Sequence, residues 1–234
     1  MEKEKVAEMF DNIACEYDFL NGLLSLGIDK LWRRRLRKML DAAAPAVVLD
    51  VATGTGDIAI ECIKKHKKKI TGVDISEKML AEGRKKIESE NLGNYIDLQY
   101  GDSENLEYES NSFDAVTAGF GVRNFENLEQ GLREIHRVIK PSGKVFILDF
   151  SMPRNRFILK LYKFYFFGIL PFIGRLISKH TSAYKYLPES VDSFPQYEKM
   201  TDLMSTIGFI NTKYKPLTFG IAIIYVAEKQ SLQT

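Results

Sequence analysis

Short apolar runs alternate with stripes of helical spacing through the middle of the chain. The runs are Val47–Val51, Ile70–Asp74, Ile96–Tyr100, Phe113–Gly119 and Lys144–Phe150, each short enough for a buried strand and each followed by small or turn-forming residues. Between them lie Ile58, Ile60, Cys62 and Ile63, then a polar-and-apolar segment over 77–90, then Leu128, Leu132, Ile135 and Ile139, all at the spacing of helices with one buried face. Strand and helix in regular alternation predict an α/β fold with a parallel sheet. The ends differ from this middle. Val6, Met9, Phe10, Ile13 and Tyr17 stripe an N-terminal helix, and the next stretch, 17–32, sets polar Asp18, Asn21 and Ser25 among apolar residues. That pattern suits a lid over a ligand as well as a plain packing helix. Near the C-terminus, Ser193-x-x-Gln196 reads as a capping box ahead of a helix with Tyr197, Met200, Leu203, Met204 and Ile207 inside and Gly208 as its C-cap. Residues 209–216 and 221–228 then read as a strand pair joined through Thr218-Phe-Gly220, and 184–195 as a loop.

The first run ends in Asp50 and a turn of small residues, Thr53-Gly54-Thr55-Gly56, before the first helical stripe. A strand, a glycine turn and a helix bring backbone amides to one crevice, where a ligand can lie close to the main chain. Asp74 closes the second run, placed to accept the two hydroxyls of a ribose. A nicotinamide dinucleotide and S-adenosylmethionine both fit this much. Asp50 favours the second, because a carboxylate beside the turn repels a pyrophosphate and attracts an ammonium and a sulfonium.

Composition adds bounds. The 234 residues fit one decorated domain, and 45% hydrophobic with 27% charged residues is ordinary for a globular protein. A net charge of +2 gives no argument for nucleic acid, and no cluster has metal-ligand spacing. Cys15 and Cys62 read as buried thiols, the His66–Lys69 stretch as solvated, and the N-terminus as leading into no signal sequence, which together predict a cytoplasmic protein. Arg33, Arg34, Arg35, Arg37 and Lys38 read as a solvated face or a membrane-surface contact. Residues 157–177 are long and apolar enough to suggest a membrane span, but Lys160, Lys163, Pro171 and Arg175 interrupt them, leaving an insertion on the sheet edge or an interfacial helix.

Tyr17, Asp18, Asn21, Leu24, Ser25 and Trp32 match an N-terminal signature of the form Y-D-x-M-N-x2-[aliphatic]-S-x3-H-x2-W, with Leu20 in place of methionine and Asp29 in place of histidine. Arg137 to Ser151 matches a second, R-V-[aliphatic]-K-P-G-G-x-[apolar]-x2-[aliphatic]-E-x-S, with Ser142 for glycine and Asp149 for glutamate. On these segments, and on Phe120-Gly-Val-Arg-Asn124, the chain resembles the ubiquinone/menaquinone biosynthesis C-methyltransferases, the UbiE/MenG family. The resemblance implies a class I S-adenosylmethionine-dependent methyltransferase, Rossmann-like, with a seven-stranded mostly parallel sheet. It divides the single domain into a helical lid (1–43), a cofactor-binding core (44–150), an apolar insertion (151–193) and a closing helix and strand pair (194–234). It implies methyl transfer to a ring carbon of a polyprenyl hydroquinone, most directly demethylmenaquinol, with a dual naphthoquinol/benzoquinol enzyme as the alternative. A nicotinamide oxidoreductase and a non-catalytic quinone-binding protein are more distant alternatives. The cofactor-binding residues it implies are Asp50, Gly54, Thr55, Gly56, Asp74, Asp102, Ser103 and Gly119, with Asp102 at the adenine amine. For catalysis it implies Arg123, Asn124, Tyr17, Asp18 and Asn21, with His180, Tyr184 and Tyr186 as further quinol contacts. It implies transient contact with a membrane surface, no metal and no nucleic acid, and it leaves a homodimer open.

Overall fold

The computed structural model describes residues 3–25, 27–169 and 181–231. Helices α1 (Lys3–Leu24) and α2 (Asp29–Ala42) precede β1 (Val47–Val51). Then follow α3 (Asp57–Ile63), β2 (Lys69–Asp74), α4 (Glu77–Ser89), β3 (Ile96–Tyr100), β4 (Phe113–Gly119), a 3-10 turn over Val122–Asn124, α5 (Leu128–Val138) and β5 (Ile139–Phe150). The last third holds α6 (Arg156–Lys163), which runs on into a π-helical turn (Phe164–Ile169), then α7 (Thr181–Ser193), α8 (Glu198–Ile207), β6 (Phe209–Leu217) and β7 (Ala222–Lys229).

The seven strands form one sheet in the order β3-β2-β1-β4-β5-β7-β6. All neighbours are parallel up to β5, and β7 is antiparallel to both β5 and β6. Successive residues of a strand point to opposite faces, and the core divides accordingly. Leu49, Val51, Ile147 and Tyr225 face the layer of α5 and α8 with Leu132, Ile135, Met200 and Met204. Val48, Phe146, Leu148 and Ile224 face the layer of α2, α3 and α4 with Trp32, Leu36, Ile58 and Leu80. The strand order reverses between β1 and β4, which opens a crevice beyond their C-terminal ends.

Several expectations change. The helix expected to run to Ile139 stops at Val138, because Ile139 already pairs with Phe113 as the first residue of β5. The segment 184–195 is helical through Ser193, despite Pro188 inside α7. Burial of Val191 and Ser190 there outweighs the lost backbone hydrogen bond. The capping box does not form: Ser193 bonds the Ser190 carbonyl, and Gln196 bridges the Met152 amide and the Val191 carbonyl. Gly208 does cap α8, with φ of 117°. Lys68 is buried rather than solvated, held by Asp41 at 2.6 Å. Of the two thiols only Cys62 is buried, and Cys15 is exposed. The basic run on α2 is half structural, since Arg33 pairs with Asp29 and Asp57 and buried Arg37 with Glu61.

Candidate active site

The crevice at the reversal point is a cleft of about 610 Å³ counted out to its mouth, and α1 crosses it. Of the residues expected at the cofactor, Gly54, Asp74, Asp102, Ser103 and Gly119 line it, together with Tyr17 and Asn124. The turn that shapes it needs glycine: Gly56, the residue before α3, has φ of 78°, where a side chain would be strained. At Gly121 an added Cβ would stand 2.4 Å from the Cβ of Ala52, so the two chain segments meet only because neither carries more.

Asp74 sits at the end of β2. One of its oxygens accepts the Gly54 amide at 2.8 Å and the other the Ser76 amide at 2.9 Å. The Ile75 amide bonds the same carboxylate, which still has acceptor capacity left for a ligand, and burial raises the pKa of the carboxyl above its ordinary value. Asp102 accepts the Glu104 amide at 2.8 Å and, across the cleft, the ammonium of Lys3 on α1 at 2.7 Å. Lys3 also lies 3.4 Å from Glu104. This contact of α1 has no warning in the sequence, because 99 positions separate its partners.

Asp50, Thr55 and Gly56 are not in the wall. Asp50 is fully buried behind the turn, where it accepts the hydroxyls of Thr53 and Thr117, both at 2.6 Å, and an amide hydrogen bond from Ala59. It braces the glycine turn from within instead of facing a cationic ligand. Burial pushes its pKa up to about 6, against the pull of the two hydroxyls. A carboxyl whose folded pKa is raised binds its proton more tightly folded than unfolded, so its contribution is full below about pH 4 and is lost as the pH rises through 6. The stability of wild type relative to Asp50→Asn should therefore fall by on the order of 2–3 kcal/mol between about pH 4 and pH 7. Urea melts across that range check it, and two parallel stability curves would refute it.

The predicted catalytic residues separate into two groups. Tyr17 and Asn124 reach the cleft. Burial raises the pKa of the Tyr17 phenol, so it stays a donor, and Asn21 hydrogen-bonds it from the next turn of α1. Asp18 points the other way: it accepts the Thr55 hydroxyl at 2.7 Å and the ammonium of Lys86 at 2.7 Å. Lys86 also holds Asp57 at 2.7 Å, so Asp18 and Thr55 fasten α1 to α3 and α4. Arg123 is turned inward as well. Its Nη1 donates to the Phe120 carbonyl and to Asp149 at 2.7 Å, and its guanidinium lies 5.4 Å from the Phe150 ring centroid. The expected free cation is thus neutralised within the fold. Among the described residues, Arg123 Nε and Asn124 Oδ1 are buried with no hydrogen-bond partner. Asp29, which stands where the signature has histidine, is buried and accepts Ser25 Oγ at 2.5 Å, making it a brace for the start of α2. His180 lies outside the described residues, as does the side chain of Tyr184. Tyr186 lines a separate surface hollow with Val122, Arg123 and Glu189.

The wall suits a nucleoside-bearing sulfonium. It has a carboxylate at the end of each of two neighbouring strands, bare backbone at Gly54 and Gly119, and a buried unpaired acceptor at Asn124. The ubiE/COQ5 methyltransferase family model matches residues 1–229. The ubiquinone/menaquinone biosynthesis C-methyltransferase UbiE of Geotalea daltonii is 46% identical over 228 residues, 97% of each chain. The demethylmenaquinone methyltransferase of Chlorobaculum tepidum is 46% identical over 231 residues, 97% of this chain and 93% of the relative. Among solved structures, an S-adenosylmethionine-dependent methyltransferase from Thermotoga maritima superposes with a TM-score of 0.67 at 21% identity, covering 95% of this chain and 99% of the other. The [4+2]-cyclase SpnF also reaches 0.67, at 14% identity over 98% and 96% of the two chains, a reminder that this fold alone does not fix a reaction. The match over nearly the whole length settles the family: the chain belongs to the ubiE/COQ5 methyltransferases and is an S-adenosylmethionine-dependent enzyme.

Proposed function

We propose that the enzyme methylates a ring carbon of a polyprenyl hydroquinone, with demethylmenaquinol as the first substrate to test. The observation that carries this reading is the composition of the cleft wall. Beside its charged groups it presents the aromatic side chains of Phe10, Tyr17, Phe120 and Phe125 and the uncharged amide of Asn124, a setting that can take a flat neutral ring. The names of the relatives point to the same substrate class.

S-adenosylmethionine supplies an electrophilic methyl group and leaves as a neutral thioether. The chain's own part is to hold the ring and raise its electron density. A quinol carbon becomes nucleophilic as the adjacent hydroxyl gives up its proton. Asn124 Oδ1 accepts that O–H and draws the proton outward, while the Tyr17 phenol donates to the second oxygen and orients the ring. Among the described residues, the ionisable groups of the wall other than Tyr17 are Lys3, Asp74, Asp102 and Glu104, and they belong to the nucleoside half. The hydroxyl proton therefore passes to water rather than to a dedicated base, and after the methyl group moves from sulfur to carbon the ring carbon gives up its hydrogen as a proton while the oxygen is reprotonated, which restores the aromatic quinol with one proton released in all. The cleft's further contribution would be proximity, holding the ring carbon against the methyl donor.

On this reading Asp74 accepts the ribose hydroxyls and Asp102 the adenine amine, which Lys3 must surrender when the cofactor enters. Lys3→Ala should then bind S-adenosylhomocysteine more tightly by about three- to tenfold, as fits the release of one partly exposed ion pair. Calorimetric titration reads this, and weaker binding would mean that Lys3 supports the cofactor instead. The polyprenyl tail places the substrate in a bilayer, so the reading includes transient contact with a membrane surface. No helix among the described residues is long and apolar enough to cross one. The reaction itself is tested with methyl-labelled S-adenosylmethionine and reduced demethylmenaquinone in detergent, beside a benzoquinol precursor. Label on the naphthoquinol is the expected result, and label on both rings would establish the dual enzyme that the name of the Geotalea relative suggests. No label on either ring would refute the substrate.

A further inference from the structure

The outer face of α6 is built the wrong way round for a water-facing helix. Phe157 and Leu161, with Phe164 at the first position of the π-helical turn that continues α6, are 75%, 59% and 66% exposed. At spacings of four and three they fall within about 60° of one another around the helix axis. Exposed Arg156, Lys160 and Lys163 form a ridge along one side of that stripe. Residues 154–169 contain no acid, in a chain whose overall net charge is only +2. The opposite face is anchored: Tyr162 is 4% exposed and packs with Phe150, Met152, Tyr165, Leu187 and Ile221. Asn155 caps the helix start, accepting the amides of Phe157 and Ile158 at 3.0 and 3.2 Å. The apolar side chains are thus carried by a fixed helix with a defined orientation.

We propose that this face of α6 is a docking surface for a lipid bilayer with anionic headgroups. Three large apolar side chains bordered by cations give the charge and polarity order of a helix lying in a membrane interface, apolar residues among the acyl chains and ammonium groups at the phosphates. The occupant is an anionic surface because the flank is wholly basic, where a protein partner of mixed charge would find nothing for its own cations. The placement has a mechanistic consequence. The inner side of α6 rests on Phe150, whose ring lies 4.8 Å from that of Phe120 in the wall of the cleft. Docking through the outer side therefore brings the ring-binding end of the cleft to the bilayer. The inference rests on the quinol reading for its purpose but not for its measurement.

The test uses the whole chain and the variant Phe157→Ser/Leu161→Ser/Phe164→Ser. Co-sedimentation with phosphatidylcholine vesicles containing phosphatidylglycerol should show binding that the variant loses by about tenfold or more. Lys160→Glu/Lys163→Glu should erase the preference for phosphatidylglycerol over pure phosphatidylcholine. In methyl transfer, the triple variant should act on a tail-less quinol within about twofold of wild type, and on a long-chain quinol embedded in vesicles about tenfold more slowly. Equal vesicle binding by wild type and triple variant would overturn the proposal, and so would equal rates on the embedded substrate. A wild-type dimer that the triple variant dissociates, with vesicle binding unchanged, would make the face a contact between copies and overturn it too. If wild type methylates no quinol at all, the substrate reading fails while the sedimentation result still decides the docking surface.

Discussion

Replacing Arg123 by alanine is expected to destabilise the protein by about 3–5 kcal/mol, because it strips the partner from a buried charge. Asp149 is fully buried, and its carboxylate accepts the Arg123 guanidinium at 2.7 Å and the Phe150 amide at 2.8 Å on one oxygen and, more distantly, the Arg123 amide at 3.4 Å on the other. The arginine side chain is itself only 6% exposed. For a chain of this length the loss corresponds to a fall in melting temperature of about 6–20 °C. Any fall in activity would follow from it. The companion variant Arg123→Met/Asp149→Leu removes both charges and should recover most of the stability, since a buried pair replaced by apolar groups is often neutral. Thermal melts of the three proteins decide the matter. If Arg123→Ala keeps its melting temperature within about 2 °C yet loses turnover, the guanidinium acts on the substrate after all and its pairing with Asp149 is incidental.

Arg123 shows where the sequence stops being legible. The loop that carries it is easy to find, because a strand followed by two glycines at the C-terminal edge of a parallel sheet marks a ligand crevice. Its ionic partner is not, because Asp149 lies 26 positions away and comes near only through the pairing of β4 with β5, in which Gly119 stands opposite Leu148. The same holds for Lys3 on Asp102 and for Lys86 on Asp18. A local pattern names the residue type and its element, while the partner depends on sheet order. Most strand boundaries and the acids at strand ends are legible because each is a local signal, whereas the early start of β5 at Ile139 is not, because pairing with Phe113 sets it. Asp50 carried a local signal too, but the direction its side chain takes was settled by Thr53 and Thr117, one of them on another strand. Helix α7 was misread for a third reason: Pro188 weakens the local preference, and burial against the rest of the fold overrules it. The nicotinamide alternative, open on the glycine turn alone, is closed by the family match over residues 1–229.

Asn124→Ala should reverse the usual relation between stability and activity. The Asn124 backbone is fixed by its amide's bond to the Gly121 carbonyl at 2.9 Å, so the side chain is held in place by the 3-10 turn. Its Oδ1 is buried without a partner among the described residues, a cost of about 1–3 kcal/mol to the free enzyme. Alanine removes that cost, so the melting temperature should hold or rise. A quinol hydroxyl that reaches Oδ1 satisfies the acceptor, and the bond strengthens as the oxygen gathers charge and the proton moves away. Loss of such a contact typically lowers kcat by about 100-fold or more. The effect should fall on kcat rather than on cofactor affinity, because the proposed reading gives the nucleoside to Asp74 and Asp102. Asn124→Asp keeps an acceptor oxygen and should retain more activity than alanine, with a rate that rises with pH as the new carboxylate ionises. Steady-state kinetics across pH, together with calorimetric affinity for S-adenosylhomocysteine, separate these outcomes. A variant that melts lower and turns over normally would show that Asn124 is a packing residue, and the ring would then be held by Tyr17 and the aromatic walls alone.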